Sequence, residues 1–92
     1  MIVQFRHKGL QKFYEHGNTS GIQTKQADRL QLILSRLDDA VTIEDVNFPG
    51  SGLHQLKGTL KGAWALKVNA NWRIIFRMDG SDVHDVDLVD YH

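Results

Sequence analysis

The chain has 92 residues, with 11 basic and 11 acidic side chains and a formal net charge of zero. This length predicts one domain, residues 1–92, and 41% apolar with 24% charged residues is typical of an ordered globular protein. The absence of cysteine excludes disulfides, thiolate catalysis and zinc sites that need sulfur. No apolar stretch approaches the about 20 residues that span a membrane, and the first residues lack a signal-peptide pattern, so we expect a cytoplasmic protein.

The first half of the sequence predicts a short strand and two helices. Residues 1–5 are apolar and β-branched, which favours a strand. Residues 7–16 carry apolar side chains at helical spacing and Gly17 follows as a stop signal. Thr24 is a candidate N-cap for a second, amphipathic helix whose apolar side chains are Ala27, Leu30, Ile33, Leu34 and Leu37. Thr42 and Asp45 stand at capping-box spacing and predict one further turn.

Beyond a loop at residues 48–52, the apolar period changes from 3.6 to 2. A strand region begins at residues 53–56, and two alternating runs follow in residues 64–69 and 72–78. Asp79-Gly80 predicts a tight turn into a last strand at residues 83–89. We therefore predict an α+β fold with an N-terminal strand and two helices on one face of a mainly antiparallel sheet of about four to five strands.

The charges of this neutral chain are unevenly distributed. Residues 46–78 contain no acidic side chain but five cations, which are Lys57, Lys61, Lys67, Arg73 and Arg77. The alternation places Arg73 and Arg77 on the sheet face away from the helices. Two interpretations remain open, ordinary solvated strand residues or a local cationic surface that binds phosphate at one place. Lys61 and Lys67 fit the first interpretation better than the two arginines do.

Two further groups of residues are candidates for chemistry. His54 and Lys57 have an odd spacing, so a bend is needed to bring both to one side, and Gly58 permits one. Asp90, Tyr91 and His92 follow the last strand directly, as a frayed terminus or as a functional one. His7, His16 and His84 are isolated from one another and are interpreted as structural or surface residues.

Four segments of this sequence resemble the HigB toxins of the RelE/ParE superfamily. They read IVQFRHKGLQKFYEHG, LHQLKGTLKGAWALKV, NANWRIIFR and DVDLVDYH, in this order and across the whole chain. The resemblance implies a single RelE-like domain and a ribosome-dependent endoribonuclease that cleaves mRNA in the ribosomal A site. The implied partners are a HigA-like helix-turn-helix antitoxin, the ribosome and mRNA, with operator DNA reached only through the antitoxin and no membrane.

The resemblance also implies an active site made of His54, Lys57, Arg73, Asp90, Tyr91 and His92. The cationic stretch adds Lys61 and Arg77 as predicted RNA-binding residues. Such a set suits metal-independent cleavage without a cofactor, because histidines transfer protons near neutrality and cations stabilise the charged phosphoryl group. Which histidine is base and which is acid stays open. The alternatives are a non-catalytic ParE-like inhibitor of a DNA topoisomerase and a protein-interaction module, since fold alone does not decide function.

Overall fold

Two helices precede a meander of four antiparallel strands in the computed structural model, which describes residues 1–91. The helices are α1 (Lys8–His16) and α2 (Ala27–Asp39). The strands are β1 (His54–Gln55), β2 (Trp64–Lys67), β3 (Trp72–Asp79) and β4 (Asp82–Asp90), and they lie side by side in sequence order. The predicted α+β fold is confirmed. No helix within residues 1–91 is both long and apolar enough to cross a membrane.

Local capping explains both ends of α1 but not those of α2. The Nδ1 atom of His7 accepts the Leu10 amide at 2.9 Å, and Gly17 ends α1 with φ 70° while its amide bonds to the Phe13 carbonyl. Thr24 is not the cap of α2, because a 3₁₀ turn over Thr24–Gln26 leads into this helix at Ala27. The predicted capping box of Thr42 and Asp45 is present and starts a second 3₁₀ turn, Ile43–Val46.

A bulge in β4 decides how the sheet meets the helices. Val83 and Val86 are both fully buried although residues three apart in a regular strand face opposite sides. The register between β3 and β4 shifts between Ile75 and Arg77, and Asp85 takes a positive φ of 56° at this point. The extra residue turns both valines towards the helices.

The N-terminal segment lies beside β4 but does not form a regular strand. It makes two parallel bridges, Ile2 with Val83 and Phe5 with Val86, and the Val3 amide donates to the Val83 carbonyl at 2.8 Å. The predicted strand at residues 1–5 is therefore reduced to isolated bridges, because the bulge interrupts the ladder that a continuous strand would need.

The main core lies between the helices and one face of the sheet. Its fully buried members include Leu30, Ile33 and Leu37 of α2 and Ile74 and Phe76 of β3, as the periodicity predicts. The other face carries a second, smaller cluster of Leu56, Ala63 and Ala65, against which Ile75 packs. The sheet face expected to be open is thus partly covered by residues 56–63.

Replacement of Gly9 by alanine tests the close approach of the Gly9 and Gly21 backbones. A Cβ on Gly9 would overlap the carbonyl oxygen of Gly21, and backbone cannot rotate away. Overpacking costs about 1–3 kcal/mol, against about 1 kcal/mol gained from the helix propensity of alanine. We expect Gly9→Ala to lower the free energy of unfolding by about 1 kcal/mol, measured by urea denaturation. Lys12→Ala, an exposed change in α1, is the control, and equal stability of the two variants would contradict the prediction.

Candidate active site

On the sheet face turned away from the helices, called the outer face, paired residues of strands β1 to β4 form rows across the sheet. One row runs through His54, Ala65, Ile75 and Asp87, which are paired partners on successive strands. Directly paired residues share a face of the sheet. Because Ala65 and Ile75 pack in the second cluster and not in the main core, His54 and Asp87 belong to this outer face.

The neighbouring row contains two cations in register. Lys67 of β2 pairs with Arg73 of β3, and Arg73 pairs in turn with Val89 of β4. His54 and Arg73 thus lie on the same face, two strands and one row apart. From strand spacing and rise, their Cα atoms are separated by about 12 Å.

The turn between β2 and β3 fixes the orientation of Arg73. Its Nη1 atom donates to the carbonyl oxygens of Asn69 at 2.6 Å and Trp72 at 3.0 Å. The side-chain oxygen of Asn69 accepts the amides of Asn71 and Trp72, each at 3.0 Å, and so holds the turn itself. Sequence reasoning missed Asn69, although Asn-Ala-Asn between two alternating runs is a signal for such a turn.

Tyr91 lies against Arg73. Its amide donates to the Asn71 carbonyl, and the guanidinium carbon of Arg73 is 5.3 Å from the centroid of its ring. This distance allows a cation–π interaction. The Tyr91 side chain keeps 45% of its surface exposed, so an aromatic ring and a cation are presented together on the outer face.

His54 and Lys57 stand on either side of the bend that the sequence required. Strand β1 ends at Gln55, the buried Leu56 follows, and Gly58 has a φ of 69° at the start of the 3₁₀ turn Gly58–Leu60. The Nδ1 atom of His54 is 3.4 Å from the Gly52 carbonyl oxygen. Since a carbonyl only accepts, this contact needs a proton on Nδ1 and leaves the lone pair of a neutral ring on Nε2.

The other predicted site residues are placed differently. Asp90 pairs with Trp72, so alternation puts it on the opposite side of β4 from Val89. Arg77 is on the outer face, but its Nη1 atom donates to the carbonyl oxygen of Lys61 at 3.0 Å. The predicted role of His92 lies outside the described residues.

One concave region lies on the opposite side of the sheet from His54 and Arg73. A groove of about 330 Å³ between α1 and α2 is lined by Phe13, Tyr14, Leu34 and Asp38, among others, on the helix side of the sheet. The Asp38 carboxylate accepts the Tyr14 hydroxyl there, and burial together with this contact raises the pKa of Tyr14. Among residues 1–91 no three histidine or acidic side chains cluster in a way that would hold a metal ion.

Comparison with known proteins assigns the family. Residues 3–92 match the model of the HigB-like toxins, described as RelE-like toxins of the type II toxin–antitoxin system HigB. The chain is 40% identical over 92 residues to Endoribonuclease HigB of Proteus vulgaris, with 100% of both chains covered. It is 32% identical to Toxin HigB-1 of Vibrio cholerae over 87 residues, covering 87% of each chain.

Solved structures agree on the fold at low sequence identity. The YoeB–YefM complex from Staphylococcus aureus matches 100% of this chain and 95% of its own with a TM-score of 0.65 at 16% identity. YafQ from E. coli matches 98% of this chain and 91% of its own with a TM-score of 0.58 at 12% identity. Together with the sequence matches over the full length, these findings show that the chain belongs to the HigB-like family of RelE-like toxins of type II toxin–antitoxin systems.

Proposed function

We propose that this toxin cleaves mRNA in the A site of the ribosome by metal-independent attack of the 2′-hydroxyl group. Membership of the family makes the chain an endoribonuclease that acts with an antitoxin, and the relative of 40% identity bears the name Endoribonuclease. The proposal adds the ribosome as the place of cleavage, the cytoplasm as the compartment and a HigA-like helix-turn-helix protein as the antitoxin, through which alone the pair contacts operator DNA.

The observation that carries the proposal is the pair of cations on the outer face. Like charges directly opposite each other in a sheet destabilise it. Lys67 and Arg73 nevertheless stand in register, with the Tyr91 ring beside the guanidinium. An RNA phosphate between them relieves the repulsion, and Tyr91 can stack on a base or bond to the phosphate. The Nε–Nη2 edge of Arg73, which makes none of the bonds to the turn, suits a bidentate phosphate contact.

The reaction needs one group to take a proton and one to give a proton. The 2′-hydroxyl loses its proton and attacks the adjacent phosphorus, the bond to the 5′-oxygen breaks, and this oxygen receives a proton. We assign these two transfers to His54 and His92, without fixing which acts as the base. Arg73 and Lys57 stabilise the negative charge that builds on the phosphoryl oxygens. Asp90 orients the residues that follow it or contacts the RNA.

Dependence on the ribosome follows from the modest charge of the toxin. The five cations of residues 46–78, on a chain of zero net charge, bind free RNA weakly, and salt screens this attraction. The ribosome supplies the missing affinity and bends the mRNA into the geometry for in-line attack.

Removal of His92 tests the assigned acid–base role. A general acid or base contributes about 10²–10⁴ in rate, so we expect cleavage of ribosome-bound mRNA to fall by at least about 10² with an unchanged unfolding midpoint. Cleavage is followed by primer extension on programmed ribosomes. His16→Ala, which alters an exposed histidine at the end of α1, serves as the control and retains full activity. Full activity after removal of His92 would contradict this role.

Comparison of ribosome-bound with free mRNA tests the place of cleavage. We expect efficient cutting of the transcript on ribosomes and negligible cutting of the same purified transcript at physiological salt. Cleavage of the free transcript at a similar rate would contradict ribosome dependence. A parallel supercoiling assay with DNA gyrase covers the topoisomerase alternative, which gyrase inhibition without mRNA cleavage would support.

Substitution of Lys67 by glutamine tests the opposed cations. Relief of the repulsion should raise the free energy of unfolding of the isolated toxin by about 0.2–0.5 kcal/mol at low ionic strength, and salt should reduce this gain. Thermal denaturation at two salt concentrations measures it. Lys25→Gln removes another exposed lysine and should show no such gain. Equal responses of the two variants would argue against a repulsive pair.

A further inference from the structure

Residues 56–63, here called the basic loop, cross the outer face beside His54 and carry Lys57 and Lys61. The two ends of the loop are joined, since the Leu56 amide donates to the Ala63 carbonyl at 2.9 Å. Both end residues are buried in the second cluster. Between them the Lys61 amide donates to the Gly58 carbonyl at 3.1 Å. The base of the loop is therefore fixed, whereas its middle, from Lys57 to Gly62, is exposed.

Arg77 fastens the exposed part of this loop to β3. Its Nη1 atom donates to the Lys61 carbonyl oxygen at 3.0 Å. The next residue, Gly62, has a φ of 92°, and a Cβ at that position would lie 3.0 Å from the same Nη1 atom. The backbone of the loop and the guanidinium thus fit against each other at a position where a side chain would separate them.

The bulge in β4 places the Asp85 carboxylate near the Arg77 guanidinium. The Oδ2 atom of Asp85 is 3.9 Å from Nε of Arg77 and 3.4 Å from Nδ1 of His84. Asp85 has the only positive φ among the non-glycine residues within residues 1–91, and such conformations are retained where the surrounding structure requires them. The carboxylate offsets part of the charge of Arg77 and so weakens the attraction of this arginine for phosphate.

We propose that Arg77 is a positioning residue of this nuclease and not an RNA ligand. Held by Asp85, it ties the Lys61 carbonyl to the sheet and so keeps the Lys57 ammonium group on the side of His54. This inference rests on the proposed function, and it replaces the RNA contact that the charge distribution of the sequence predicts for Arg77. The Arg77 guanidinium holds the loop in place, because its Nη1 atom donates to the Lys61 carbonyl while its Nε atom faces the Asp85 carboxylate.

Two substitutions of Arg77 separate positioning from RNA binding. Lysine keeps the charge but loses the fork that reaches two partners at once, and glutamine loses both. If Arg77 positions the loop, both variants lower the maximal single-turnover cleavage rate on ribosomes by about 10- to 100-fold. The half-saturating ribosome concentration and its salt dependence then stay at the wild-type value. If Arg77 binds a phosphate, the lysine variant stays near wild type, and the glutamine variant weakens binding and flattens the salt dependence by about one unit.

A change on the loop side tests the same contact without altering any charge. Gly62→Ala should reproduce the loss of maximal rate, and its combination with Arg77→Gln should lose no more than the single variants, because both break one contact. Gly50→Ala is the matched control, since Gly50 also has a positive φ of 82° but no atom within 4 Å of an added Cβ. Thermal denaturation of every variant separates backbone strain from loss of the contact.

Each result decides for or against the role of Arg77. Cleavage by the Arg77→Lys variant at the wild-type rate, or fully multiplicative effects of Gly62→Ala and Arg77→Gln, would overturn it while leaving the proposed function intact. Absence of ribosomal cleavage by the wild-type toxin would overturn the proposed function, and the positioning role with it. Hydrogen exchange at the Lys61 and Ala63 amides should accelerate in Arg77→Gln and Gly62→Ala but not in Gly50→Ala. Unchanged exchange at these two amides would show that Arg77 does not hold the basic loop.

Discussion

Side chains of β3 leave the strand on its two faces in turn, so Ile74 and Phe76 enter the helix-side core while Arg73 and Arg77 emerge on the other face. The burial of the apolar set is worth several kcal/mol, and a slip of one residue would reverse it. The position of the arginines is therefore secured by the core and needs no contribution from the site itself. A small protein can in this way hold charged groups in a defined place on an exposed surface.

The outer face departs from what stability alone would favour. Lys67 opposes Arg73 across a strand pair, and Asp85 adopts a left-handed conformation beside Arg77. Local conflicts of this kind concentrate at functional sites, where the rest of the fold compensates for them. The helix side shows the opposite character, with a capped α1 and a core in which periodicity and burial agree. The two local conflicts described here therefore lie on the outer face of the sheet.

Features that depend on local pattern were predictable from the sequence, and features that depend on distant backbone were not. The stop at Gly17, the capping box of Thr42 and Asp45 and the alternation in β3 follow from spacing within a few residues. The three-residue spacing of Val83 and Val86 is consistent with a bulge, but a regular strand of seven residues accounts for the same sequence more simply. The bond from Arg77 to the Lys61 carbonyl has no signature in the sequence, because any residue at position 61 supplies a carbonyl oxygen. The candidate site residues were recognisable from the sequence. That His54, Arg73 and Tyr91 lie on one face of the sheet could be inferred only once the strand register was known.

The bridges between the first residues and β4 have a consequence for the order in which the protein is made. Ile2 and Phe5 pair with Val83 and Val86, about eighty positions later in the chain. While the toxin is being synthesised, its N-terminal segment has no partner and β3 lacks its outer neighbour until those last residues emerge. The β3–β4 pairing and the position of Tyr91 on the outer face therefore form only after residues 82–91 have been synthesised.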